Sequence, residues 1–191
     1  MDADFSIELE REDPVLDFPW SDPAGKLAYV DLKRRPELMA EVEEAARFSE
    51  LREFLRILNS ARSIVETAKC DAWATTELTD EEEIYDASHK FASYVDVVFS
   101  DFDRRLSFAV HEQFAQQLVE LLRRTPETPS AAEVGVRRSY FLQDDGVREG
   151  FYCTLYVNGY GSDEAGARLN WGVALKLMAN AIVQLSVGGP G

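Results

Sequence analysis

The chain has 191 residues, 46% of them hydrophobic and 29% charged, which is enough for one well-buried domain and short for two. Its 20 Lys and Arg against 35 Asp and Glu leave a formal charge of −15, a field that repels phosphate backbones and argues against nucleic-acid binding. No apolar run is long enough to span a bilayer, and Met1-Asp2-Ala3-Asp4 does not begin a charged-then-apolar leader, so a cytoplasmic protein without membrane contact is expected.

Residues 1–35 read as an extended acidic arm with short strands. Phe5 to Glu10 alternates like a strand, and Pro14, Pro19 and Pro23 then forbid helix and hold the chain extended. Phe18 and Trp20, between those prolines, are the expected anchors to the body. Leu27 to Leu32 is a second short strand candidate. From residue 36 to 191 the pattern predicts a single α+β domain. Pro36 suits a first helical turn, with Leu38, Met39, Val42, Ala45 and Ala46 as its apolar stripe. A second helix follows Ser49 with Leu51, Phe54, Leu55 and Leu58 at i, i+3, i+4, i+7.

A long strand is expected over residues 62–78. Strict alternation puts Ala68, Cys70, Ala72 and Ala74 on one face, and Thr67, Lys69, Asp71, Trp73 and Thr75 on the other. Residues 89–100 form the next strand, with Phe91, Val95, Val97 and Phe99 dry and Tyr94 and Asp96 opposite. A helix is the rival reading there, because Thr79 with Glu82 fits a capping box and Ile84, Phe91, Val95 and Val98 also fall at helical spacing. Residues 106–124 then read as a helix burying Val110, Phe114, Leu118, Leu121 and Leu122.

The last block is strand, turn, strand and a long helix. Phe151, Cys153, Leu155 and Val157 point one way; Tyr152, Thr154, Tyr156, Asn158 and Tyr160 point the other. The final helix is apolar nearly all round, which marks a central helix covered from several sides. An offset of sixty residues matches Phe91, Val95 and Val97 to Phe151, Leu155 and Val157, and Phe114 and Leu118 to Ala174 and Met178. The predicted fold class is thus α+β: a mainly antiparallel sheet from two hairpins in the order ββα-ββα, helices on one face, plus an N-terminal helical pair and the acidic arm.

Catalytic signatures are absent: no Gly-x-Gly-x-x-Gly, phosphate loop, Gly-x-Ser-x-Gly, His-Glu-x-x-His or Cys/His metal spacing. No catalytic residue, metal or cofactor is therefore expected. Cys70 and Cys153 read as small core residues. Gly159-Tyr160-Gly161 reads as a strand-to-helix turn, His111 as a packed histidine, and His89 as part of a solvated loop beside Asp80-Glu81-Glu82-Glu83. Asp101, Asp103, Asp144 and Asp145 read as turn residues. The pattern that stands out is the non-helix face of the sheet, where Trp73, Tyr94, Tyr152, Tyr156, Tyr160 and Asn158 are interleaved with Lys69, Asp96, Arg137 and Thr154. Tyr and Trp bury large area while keeping a polar handle, so they are enriched where proteins meet partners. The expected function is a non-catalytic interaction or self-associating protein using that face, with a protein partner or a second copy of the chain. The alternative is a small-molecule binding protein or enzyme with its site there.

From Pro36 onward, the element order of helices, ββ, α, ββ and α is similar to the type III secretion chaperone-like fold, including the bacterial sensory-regulator-like domains that share it. That resemblance is one of topology and implies a dimeric, non-enzymatic binding protein. The long N-terminal stretch departs from it. A helix-grip fold is the rival, and the helix expected between the two hairpins argues against it.

Overall fold

Two long strands form the middle of the molecule. β5 (Ser130–Gln143) and β6 (Gly146–Gly161) pair antiparallel along their whole length, with Val134 opposite Leu155 and Arg137 opposite Tyr152. β4 (His89–Phe99) pairs antiparallel with the other side of β6, and β3 (Val65–Thr75) antiparallel with β4. On the far edge, β1 (Asp2–Glu8) runs parallel to the first half of β5, and β2 (Leu16–Phe18) runs parallel to its second half. The result is one six-stranded, mostly antiparallel sheet in the order β1-β5-β6-β4-β3, with β2 also on β5. These features come from a computed structural model that describes residues 1–144 and 146–188. Asp145, half of the expected Asp-Gly turn pair, lies outside the described residues.

The helices are α1 (Glu43–Arg47), α2 (Ser49–Leu58), α3 (Phe102–Arg105), α4 (Phe108–Arg123) and α5 (Glu164–Val187). The expected α+β class and mostly antiparallel sheet are therefore present. α5 lies over β6 and β4 and is flanked by α2 and α4, which explains why so much of its circumference is apolar. Trp171, Ala174, Leu175, Met178 and Ile182 are buried on the sheet, with Phe91, Val95, Val97 and Leu155 beneath them in the same cluster. The buried positions of α4 recur sixty residues later in α5: His111, Phe114, Ala115, Leu118, Val119 and Leu122 against Trp171, Ala174, Leu175, Met178, Ala179 and Ile182. The helices are nevertheless placed differently, because α4 packs over β1 and β5. No helix among the described residues is long and apolar enough to cross a membrane.

Gly159 and Gly161 are there because α5 turns back directly over the end of β6. A Cβ at Gly159 would lie 2.1 Å from the backbone nitrogen of Trp171, and one at Gly161 2.4 Å from that of Ala167. Close helix-on-strand packing, more than the turn itself, demands the glycines. Asp163 caps the helix, accepting from the Gly166 N–H at 2.7 Å.

Several expectations need correction. Pro36 opens a 3-10 segment, Pro36–Glu41, and α1 is a separate helix, because Val42 is extended. Leu27 to Leu32 is not a strand; this stretch contributes only an isolated bridge, Ser21 to Ala28. Residues 89–99 are strand rather than helix, and the capping-box residues serve a 3-10 segment, Asp80–Tyr85, in which Glu82 accepts from the Thr79 N–H at 2.8 Å. Strict alternation also fails in β3. The register shifts between Thr67 and Lys69, so Ala68 is an extra residue in the strand. Thr67 consequently faces the helices, where its amide and hydroxyl meet the Asn59 side chain. Ala68 turns to the opposite face among Phe18, Val98 and Tyr152.

The N-terminal residues cover one end of that opposite face. Leu16 and Phe18, with Trp20 and Tyr29, pack on Ala68, Val98, Phe141 and Tyr152 in a second, smaller core. Polar contacts fix the segment in place. Trp20 Nε1 donates to the Ala68 carbonyl at 2.6 Å, and Lys33 Nζ donates to the carbonyls of Ser60, Ser63 and Val65 at 2.9, 2.7 and 2.9 Å. Arg105, nearly buried, donates to Glu66 at 3.0 Å and to the Phe99 carbonyl at 2.6 Å.

Candidate functional site

The sheet face away from the helices is covered at both ends and open between them. At one end the N-terminal segment buries Tyr152. At the other, the 3-10 segment Asp80–Tyr85 buries Tyr160: the rings of Tyr85 and Tyr160 stack at 4.1 Å, and the Tyr160 hydroxyl donates to Glu82 at 2.7 Å. Burial raises the Glu82 carboxyl, but the Thr79 N–H, Lys90 Nζ at 2.9 Å and the Tyr160 hydroxyl together hold it below the usual range.

Three rings remain in the opening. Trp73 on β3 is 40% exposed, and Tyr94 on β4 and Tyr156 on β6 are half-buried. Their centroids are 6.5 Å apart from Trp73 to Tyr94 and 6.4 Å from Tyr94 to Tyr156, so they form a row across three strands. The register dictates this row: Tyr94 stands opposite Tyr156, and Ala92, the small neighbour of Trp73, stands opposite Asn158. Asn158 is half-buried at the same level as Trp73.

Beside the rings runs a polar chain that spans four strands, from β1 through β5 and β6 to β4. Arg137 on β5 donates through Nε and Nη2 to Glu8 on β1, at 2.9 and 2.7 Å. Its Nη1 reaches the Thr154 hydroxyl at 3.0 Å and the Tyr156 hydroxyl at 3.1 Å. The Thr154 hydroxyl in turn donates to Asp96 on β4 at 2.6 Å. Room for the Arg137–Glu8 pair comes from Gly135, since a Cβ there would sit 3.0 Å from a Glu8 carboxylate oxygen. On β3, the Lys69 ammonium lies 5.3 Å from the Trp20 ring centre and 5.8 Å from that of Tyr94, tying the N-terminal segment to the ring row.

Burial raises the Asp96 carboxyl to about 6, and the Thr154 hydrogen bond and the charges of Arg137 and Lys69 offset it only in part. Burial, with the Asp96 charge adding to it, pushes Tyr152 up to about 12. Burial pushes the Cys70 thiol up to about 12 and raises Cys153 further, so the thiolate is disfavoured in both. His111 is buried behind the sheet against Phe99 and Phe151, and burial lowers it to about 4.

The structure thus places all six residues singled out from the sequence on one face, but only Trp73, Tyr94, Tyr156 and Asn158 at the opening. Glu8 was not among the expected residues. Its place opposite Arg137 follows from the parallel pairing of β1 with β5, for which alternation within residues 5–10 gives no partner. The class defined here is an α+β protein with helices on one sheet face and a ring-lined opening on the other. No protein-family model matches the chain, and neither a curated protein nor a solved structure matches it. Function is accordingly read from the fold and the site alone.

Proposed function

We propose that the protein acts by binding rather than catalysis, and that the row Trp73–Tyr94–Tyr156 is its contact surface for a protein partner or for a second copy of the chain. The observation that supports this most is selective covering. Tyr152 and Tyr160 on the same face are buried by the chain's own segments, whereas the three rings between them stay accessible in a row. Large amphipathic rings over a buried, hydrogen-bonded floor are the material of interface anchors. The floor is rigid because Arg137, Thr154, Asp96 and Glu8 restrain one another across four strands.

A second reading places a small polar ligand on the same face. It is favoured by the Asp96 carboxyl, which is buried yet lies beside the opening with Arg137 two strands away. Light scattering over a range of concentrations separates the two, first on the wild type and then on Trp73→Ala. Self-association that weakens about tenfold or more in Trp73→Ala, without a change in melting temperature, supports the interaction reading. A monomer at every concentration, stabilised against heat by a small anionic or cationic molecule and no longer so in Asp96→Asn, replaces it with the second.

A further inference from the structure

We propose that the outer edge of β3 accepts an extended segment of another protein as an added strand, and that this segment alternates basic and apolar residues. β3 is the last strand in the sheet order. Trp20 Nε1 occupies the Ala68 carbonyl, and the Ala72 N–H is held by the side chain of its neighbour Asp71 at 2.7 Å. Ala72 therefore faces outward, and alternation turns the backbone groups of Cys70 and Ala74 the same way. The extra residue at Ala68 and the Trp20 contact close the edge at its N-terminal end, a common protection against strand addition. From Cys70 to Ala74 the register is regular and that protection ends.

A groove of about 330 Å3 borders residues 67–71, so it meets the open stretch of the edge at Cys70 and Asp71, and its sides differ in chemistry. Trp20 and Leu27 of the N-terminal segment give it an apolar side, with Trp20 on the ring side of the sheet, and Val30, which packs against the helix-side core, lines it too. Glu41, Glu43 and Glu44, from the 3-10 segment and α1, form an acidic wall on the helix side. A strand laid against β3 directs successive side chains to opposite walls. Basic residues at alternate positions meet the glutamates, and the apolar residues between them lie on the ring side toward Trp73 and, at the groove, Trp20. The charge of −15 draws in a basic segment over long range and opposes the approach of a second copy. This surface adjoins the ring row, because Trp73 stands on the same stretch of β3 and Tyr94 borders the groove; Glu43 and Glu44 are not part of the row, so substituting them tests the edge apart from the rings.

The probe is a fluorescein-labelled peptide of about ten residues alternating Lys and Val, long enough to span the edge at about 3.3 Å per residue. Its binding to the full chain is followed by fluorescence anisotropy near physiological salt. Saturable binding is expected, weakened about tenfold or more by Glu43→Lys with Glu44→Lys and by Ala74→Pro, which removes an outward N–H and leaves the β4 ladder intact. On the wild-type protein, methylating alternate backbone nitrogens of the peptide should abolish binding as well. Equal affinity for the methylated peptide reduces the effect to general charge attraction and overturns the proposal. Equal affinity for a Glu-Val peptide overturns it too, as does an Ala74→Pro-sensitive dimer of the chain in place of peptide binding.

Discussion

Across the β4–β6 ladder the Thr154 hydroxyl donates to the Asp96 carboxylate at 2.6 Å, a contact buried between Tyr94 and Tyr152 in the strand register. It does not prevent burial from raising Asp96 to about 6, against an ordinary value of 3.8. The folded state therefore takes up this proton more readily than the unfolded chain, and Asp96 adds stability as pH falls from about 6 to 4 and loses it as pH rises through 6. His111 acts in the opposite sense. Its value is lowered from 6.5 to about 4, so its contribution is complete above 6.5 and is lost as pH falls toward 4. Melting temperatures measured from about pH 7 to 4 should then diverge by variant. Relative to wild type, Asp96→Asn should be best tolerated at neutral pH and progressively worse toward pH 4, and His111→Phe should improve as pH falls. Profiles parallel to wild type for both variants would show that neither group titrates as its burial dictates.

The Arg137–Glu8 pair is expected to secure the β1 edge. Arg137 is nearly buried, so removing its anionic partner leaves a charge without full compensation. Glu8→Gln should cost about 1–3 kcal/mol in denaturant unfolding and raise amide exchange in residues 2–8. Combining it with Arg137→Met should recover much of that loss, because an apolar side chain needs no partner there. Additive losses in the double variant would mean that the two residues act separately.

Gly159→Ala is expected to be among the most damaging single-methyl additions in the chain. The new Cβ would meet backbone atoms of Trp171 and Ala167, which move only if α5 lifts from β6. A loss of about 2–4 kcal/mol is expected from overpacking against a rigid neighbour. Gly146→Ala tests a different cause, since nothing crowds that position but its φ of +129° disfavours any side chain. A Gly159→Ala variant as stable as wild type would show that the helix has slack at its start.

Strand and helix positions in the second half of the chain were legible because period-2 and period-3.6 patterns there are uninterrupted, as in Phe151–Val157 and Phe114–Leu122. Alternation also placed Trp73, Tyr94 and Tyr156 together, since the Trp73 register survives the irregularity upstream. What alternation could not give is pairing at a distance. That β1 joins β5 in parallel, and so brings Glu8 to Arg137, depends on a contact spanning most of the chain. The extra residue at Ala68 leaves no mark in composition, yet it exchanges the faces of Thr67 and Ala68. Likewise, the burial of Tyr152 and Tyr160 depends on segments whose own patterns are irregular, the proline-rich residues 14–23 and the acidic residues 80–85.

Those differences in covering make the aromatic positions on this face separable by truncation. Trp73→Ala and Tyr156→Ala remove rings from the opening, where solvent-face cross-strand contacts are worth about 1 kcal/mol or less to the fold. If these rings anchor a partner, each truncation should cost about 2 kcal/mol or more in association. Tyr152→Ala removes a ring from the small core beneath Phe18, and Leu155→Ala empties a fully buried site under α5. Both should lower stability by about 2–4 kcal/mol through the cavity left behind, with little specific effect on association once corrected for unfolding. Urea unfolding and concentration-dependent light scattering on the four variants check the pattern. Should Trp73→Ala and Tyr156→Ala unfold as readily as Leu155→Ala, the ring row is a third packing layer and its role as a contact surface is lost.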